Sequence, residues 1–129
     1  MIKVCYPFVG DTLGGSHISS LTLINFVNNQ KFDIKPNVLV FSASNSFKEY
    51  LSNNNISYTD FGLKLGNYSK LTIIVDIIRS FFRVIKYLKD EKIDIVHTND
   101  LRINLIFLVA SKFVSTKHLW HQRTSMPQS

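Results

Sequence analysis

Phe8 to Ile24 reads FVGDTLGGSHISSLTLI, a pair of glycines set between an apolar run and an apolar helix. Before it, Ile2 to Val9 is an apolar run of aromatic and β-branched residues bounded by Gly10 and Asp11, which predicts a strand covered on both faces. After it, Ser16 can cap a helix whose apolar face is Ile18, Leu21, Leu23, Ile24 and Val27, ahead of a polar stop at Asn28, Asn29 and Gln30. Gly14 and Gly15 permit positive φ and close backbone approach, and the helix behind them directs unpaired N–H groups at whatever sits there. Three readings of the loop stand open: a phosphate cradle, a sugar-handling loop, and a turn with no ligand.

Outward from this unit the pattern repeats. Val38 to Phe41 reads as a strand, Phe47 to Leu51 as part of a short helix, and Ser57 to Phe61 as a weaker strand. Leu71 to Lys92 predicts the longest helix, Ile93 to His97 a fourth strand, Leu101 to Val114 a fourth helix, and Lys117 to His121 a fifth strand. Strands and helices alternating at these lengths predict right-handed crossovers. The expected fold is α/β: a Rossmann-like, doubly wound parallel sheet of five strands in order 3-2-1-4-5, with helices on both faces. In such a sheet every strand ends at one edge, and ligands collect where the strand order reverses. The tails of strands one, four and five, GDTLGGSH, HTND and HQRTS, should therefore converge there.

The 129 residues suit one domain with one hydrophobic core. A hydrophobic share of 45% against 19% charged residues argues against disorder and against a disulfide scaffold. The single cysteine, Cys5, lies in the first apolar run and reads as a buried thiol suited to a reducing cytoplasm. Neither a signal peptide nor a membrane span is expected at the amino terminus, and charged residues break the other apolar runs well short of the roughly 20 residues a span requires. A net charge of +6 favours anionic partners such as phosphates, nucleotides or acidic lipid. Nucleic acid is not expected, since the basic residues are dispersed and no aromatic platform is interleaved with them.

Two phosphate-binding patterns fail at identifiable residues. Gly10 and Gly15 match the spacing of a Walker loop, but Ser16 and His17 stand where Lys and Ser/Thr are required. A dinucleotide fingerprint would need a Gly-x-Gly-x-x-Gly set and a carboxylate closing the second strand, which ends Phe41-Ser42-Ala43-Ser44. No metal is expected, because His97 and His121 lack partners at ligand spacing and no cysteine pair exists. His97 reads equally as a core histidine, and Asn99 and Asp100 as a helix cap. The donor-rich His121, Gln122 and Arg123 after an apolar strand favour a functional reading.

Gly14-Gly15-Ser16, the fourth-strand segment Asp94 to Asp100 (DIVHTND) and the fifth-strand segment Trp120 to Arg123 (WHQR), in this order and spacing, resemble the amino-terminal domain of family 4-like glycosyltransferases with the GT-B fold. The resemblance covers nearly the whole chain. It implies that residues 1–129 are the acceptor-side domain of a retaining enzyme that moves a sugar from a nucleotide-sugar donor to a glycan or lipid-linked acceptor. It implies His121 as the catalytic contact to the transferred sugar. Gly14, Gly15, Ser16 and Arg123 would be donor-binding, and His17, His97, Asn99 and Asp100 acceptor-binding; no cofactor beyond the nucleotide-sugar co-substrate is implied. Two departures stand out: His17 follows Ser16 where many members carry an acid, and the glutamate pair of the second domain has no counterpart, since the chain holds only Glu49 and Glu91. The donor-binding domain is thus expected elsewhere, in cis or in a partner chain, and the end at Ser129 reads as the cut edge of a longer protein. The chain by itself is expected to be inactive. A split transferase subunit and a non-catalytic module for an anionic ligand are the alternatives.

The helix from Leu71 raises a separate question. Asp76, Arg79, Arg83, Lys86 and Asp90 share one narrow face, while apolar residues cover roughly twice the arc of about 100° that a surface helix needs. Packing against two neighbouring elements is the structural expectation. A partner or a peripheral contact at the inner face of the membrane is the alternative, weakened if Asp76 and Asp90 neutralise the basic residues.

Overall fold

In the computed structural model, residues 1–10, 15–29, 33–63, 69–98 and 101–120 are described. Five strands, β1 (Ile2–Phe8), β2 (Ile34–Val40), β3 (Tyr58–Asp60), β4 (Ile95–Thr98) and β5 (Lys117–Trp120), alternate with four helices, α1 (Gly15–Asn29), α2 (Asn45–Asn53), α3 (Lys70–Asp90) and α4 (Leu101–Ser111). All paired strands are parallel, in the expected order β3-β2-β1-β4-β5.

Alternation along the strands divides the core into two layers. Val4, Tyr6 and Phe8 of β1 join Val38 and Val40 of β2 against Leu21 and Ile24 of α1 and Phe47 and Leu51 of α2. On the other face, Cys5, Leu39 and Val96 pack with Val84 and Leu88 of α3 and with Ile103, Ile106 and Phe107 of α4. Cys5 is fully buried, and burial pushes its thiol well above the ordinary range, so it is an inert core group.

Several boundaries differ from the sequence expectation for physical reasons. β2 begins four residues before Val38 and contains Pro36. β3 pairs with Val38 to Val40, so among the described residues the first half of β2 is an open edge, where a missing N–H is tolerated. Ser16 lies inside the first turn of α1, one residue past its start. Of the apolar face expected on α1, Leu21 and Ile24 are buried, whereas Ile18 and Leu23 are exposed. Helices α2 and α3 are capped by Ser44 and Ser69, whose hydroxyls accept from the N–H groups of Phe47 and Thr72. Both end in a left-handed residue, Asn55 (φ 54°) and Lys92 (φ 52°). The following N–H groups, of Ile56 and Ile93, return to the carbonyls of Leu51 and Leu88, which closes each helix and turns an isoleucine into the core.

α3 departs most from expectation. It packs on the sheet and on α4, yet Leu71, Ile74, Val75, Ile78 and Phe82 remain exposed. Asp76, assigned above to a charged surface face, is buried at 2% exposure beside Arg79, 4.0 Å away. No described helix is long and apolar enough to cross a membrane.

Candidate functional site at the carboxyl edge of the sheet

Because all five strands run the same way, the carboxyl ends of β1, β2, β4 and β5 and the amino termini of α1, α2 and α4 share one edge. The reversal of strand order falls at β1, which pairs with β2 on one side and β4 on the other. Gly10 closes β1 with φ +88°. A Cβ there would collide with Val40 and lie 3.1 Å from the Ala43 Cα and the Ser42 oxygen. Glycine is therefore required by both backbone conformation and space. The Gly10 carbonyl accepts from Ser44 N–H at 2.8 Å, and Val9 O accepts from Ser42 N–H at 3.1 Å, which ties the exit of β1 to the approach of α2.

The expected site residues fall into three groups. Gly15 opens α1 at this edge, and Ser16 follows it in the first turn. His17, in the same turn, stacks edge-on against Phe8 and Phe47, with each pair of ring centroids 6.1 Å apart. His97 is half-buried beside Tyr6, with a centroid separation of 5.4 Å, on the sheet face that carries α1. The two histidines thus share a face as well as an edge, and each leans on an aromatic ring of β1. Gly14, Asn99, Asp100, His121 and Arg123 lie outside the described residues. Asp94, which opens the DIVHTND segment, sits at the opposite edge, where its carboxylate accepts from Lys3 N–H at 2.9 Å and anchors the start of β1. Among the described residues no cluster of three or more His, Cys, Asp or Glu is placed to hold a metal.

A buried polar cluster beneath the rim was missed in the sequence. Thr98, the last residue of β4, is fully buried. Its hydroxyl donates to Asn104 Oδ1 at 3.1 Å and lies 3.1 Å from His118 Nε2, with Leu119 O at 3.4 Å. A hydroxyl has one proton and two acceptor sites. With that proton committed to Asn104, His118 Nε2–H donates to Thr98. Burial lowers the His118 pKa, which favours the neutral ring. The cluster ties the end of β4 to the first turn of α4 and to β5. Asn104, a lone amide in the apolar helix LRINLIFLVAS, was the available signal.

A cavity of about 410 Å³ lies at the other edge, lined by Lys35, Asn37, Asn55, Tyr58, Tyr87 and Glu91 among others. It is remote from the carboxyl ends of β1 and β4.

No family model matches the chain, and no curated protein matches it. Two solved structures do. A glycosyltransferase from Rickettsia africae ESF-5 superposes with a TM-score of 0.70 over 92% of this chain at 13% identity, and Acinetobacter baumannii MurG with 0.71 over 100% at 16%. The fold is shared with two glycosyltransferases. The chain spans 29% of the length of the first and 37% of the second, so it corresponds to about a third of each. Gly15, His17 and His97 lie at the edge where the strand order reverses.

Proposed function

We propose that this chain is the acceptor-side half of a retaining GT-B glycosyltransferase that uses a nucleotide-sugar donor and a glycan or lipid-linked acceptor. The observation carrying the proposal is the convergence of the exits of β1, β4 and β5 with the amino terminus of α1 at one edge, in a fold shared with glycosyltransferases along the whole chain. The donor-binding half would be supplied in cis or by a partner chain, since the two neighbours are about three times longer.

In the proposed reaction the bond between the anomeric carbon and the leaving diphosphate breaks, a bond to the acceptor oxygen forms on the same face, and the acceptor proton leaves. Charge accumulates on the departing phosphate, so fixed N–H dipoles lower the barrier more than contacts to the sugar ground state do. The amino terminus of α1, with Gly14, Gly15 and Ser16, suits that role, and Arg123 would add a full charge. His121 would contact the transferred sugar, while His17, His97, Asn99 and Asp100 would line the acceptor side. The reaction is assigned no metal and a cytoplasmic setting.

The test is sugar transfer by the chain alone and by the chain joined to its donor half. Negligible turnover alone and robust turnover together are expected, with His121→Ala lowering kcat by roughly 10²-fold or more, the scale of one lost transition-state contact. Robust turnover by the isolated chain would refute the two-half reading. Unchanged turnover in His121→Ala would remove the catalytic assignment, and NMR of the product anomer decides retention.

A further inference from the structure

We infer that the cavity beside the open half of β2, away from the carboxyl edge of the sheet, is a second ligand site and takes an uncharged sugar. The β2–β3 ladder starts at Val38 and Tyr58, and ahead of it the two segments part around the cavity of about 410 Å³. That volume falls within the roughly 300–1,000 Å³ of small-molecule sites. Alternation decides which side chains reach it. Leu39 lies in the core layer under α3, so Lys35 and Asn37 turn to that face; Thr59, the register partner of Leu39, and Ser57 do the same. Tyr87 and Glu91, one turn apart at the end of α3, line it from the helix side.

The lining selects the ligand. Lys35 and Glu91 bring one charge of each sign, and neither enters an ion pair among the described residues, so the cavity carries no excess charge although the whole chain stands at +6. An anion drawn by Lys35 would also meet Glu91. What remains is a set of amide, hydroxyl and carboxylate groups beside a fixed aromatic surface. Asn37 Nδ2 is buried and has no hydrogen-bond partner. A buried donor without a partner is a standing cost, which a ligand hydroxyl in the cavity relieves. The Tyr87 ring is held between Phe61, edge-on at 5.7 Å, and the Cys5 thiol, to which its hydroxyl is bonded. It is an apolar wall that needs no ordering on binding. A pyranose carries hydroxyls around its rim and C–H groups on its faces, and both match. The Asn37 amide and the Glu91 carboxylate suit neighbouring hydroxyls, and the C–H face suits the Tyr87 ring. A peptide strand is a poorer occupant, because Pro36 weakens this edge as a template for pairing. The inference stands on the lining alone and goes beyond the transferase reading; in a transferase this site would hold a sugar without reacting it.

The experiment is amide NMR titration of the isotope-labelled chain, alone and joined to its donor half, with glucose, N-acetylglucosamine and maltose, and with inorganic phosphate and adenosine for comparison. Saturable shifts at Asn37, Ser57, Thr59 and Tyr87 are expected in the millimolar range with at least one of the sugars, and weaker ones there with phosphate and adenosine. Asn37→Val and Glu91→Ala should each raise the dissociation constant about tenfold, the scale of one lost hydrogen bond to a sugar hydroxyl. Glu91 is exposed, so Glu91→Ala keeps the test decisive if Asn37→Val does not fold, and unchanged melting confirms that each variant is native. No saturable shift at these residues with any of the sugars would overturn the inference, as would shifts confined to Gly15, His17 and His97. Tighter binding of phosphate or adenosine at the cavity, or undiminished sugar binding by Glu91→Ala and by a folded Asn37→Val, would do the same. Sugar transfer by the joined protein should be unchanged in Glu91→Ala, which separates a failure of this site from a failure of the transferase reading.

Discussion

Replacing Thr98 by valine tests whether the polar cluster beneath the rim holds β4, α4 and β5 together. Valine keeps the shape of the side chain at this fully buried position and removes only the hydroxyl. Asn104, 5% exposed, then loses a donor 3.1 Å from Oδ1, and His118 loses an acceptor 3.1 Å from Nε2. A buried group left unpaired costs about 1–3 kcal/mol, and the half-exposed His118 can recover water, so the net loss should be about 1–3 kcal/mol. At about 4 °C per kcal/mol for a domain of this size, Tm should fall by roughly 4–12 °C. Trp120, the single tryptophan, is the register partner of Thr98, so its fluorescence in urea reads the affected strand pair directly. In an Asn104→Ala background the cost of Thr98→Val should shrink by about 1 kcal/mol, because the partner is already gone. A Thr98→Val protein within about 0.5 kcal/mol of the parent, or strictly additive losses in the cycle, would show that the hydroxyl does not join these elements.

Two further predictions concern the same edge. Gly10→Ala combines a left-handed backbone with a collision at Val40 and should cost about 3 kcal/mol or more, whereas Gly62→Ala, at φ +62° with open space around it, should cost only about 1–2 kcal/mol. Equal melting temperatures for the two variants would remove the steric argument. Because burial depresses the His118 pKa, the unfolded chain binds the proton more readily than the folded one. His118 therefore contributes stability in full above its unfolded pKa of about 6.5, and that contribution is lost as pH falls from there toward the depressed folded value. His118→Gln should flatten this part of the stability profile, measured by urea unfolding across the window, and an unchanged slope would assign the pH dependence to other groups.

The sheet order was legible because local signals agree with a global rule. Apolar runs separated by helical segments favour right-handed parallel crossovers, and Gly10 marks the end of β1 by chemistry that acts within a few residues, whereas the caps Ser44 and Ser69 were not read from the sequence. The same rule places Gly15, His17 and His97 at one edge. The early start of β2 escaped because Pro36 argues against a strand interior, and only the shortness of β3 leaves an open edge to accommodate it.

Sequence alone thus determined which segments form strands and helices, their order in the sheet, and the edge at which the strands finish, since each depends on short-range periodicity and chain handedness. The tertiary structure decided which side of each helix meets the core. On α3 it buries Asp76 and Ser80 and leaves Ile78 and Phe82 in solvent, an inversion that hydrophobicity could not reveal. It also decided the contact of Thr98 with His118, twenty residues away, because that contact exists only in the register that pairs Val96 with His118 and Thr98 with Trp120. Burial and long-range hydrogen bonding are properties of the packed whole, set by which neighbours arrive, and no single stretch of the chain contains that information.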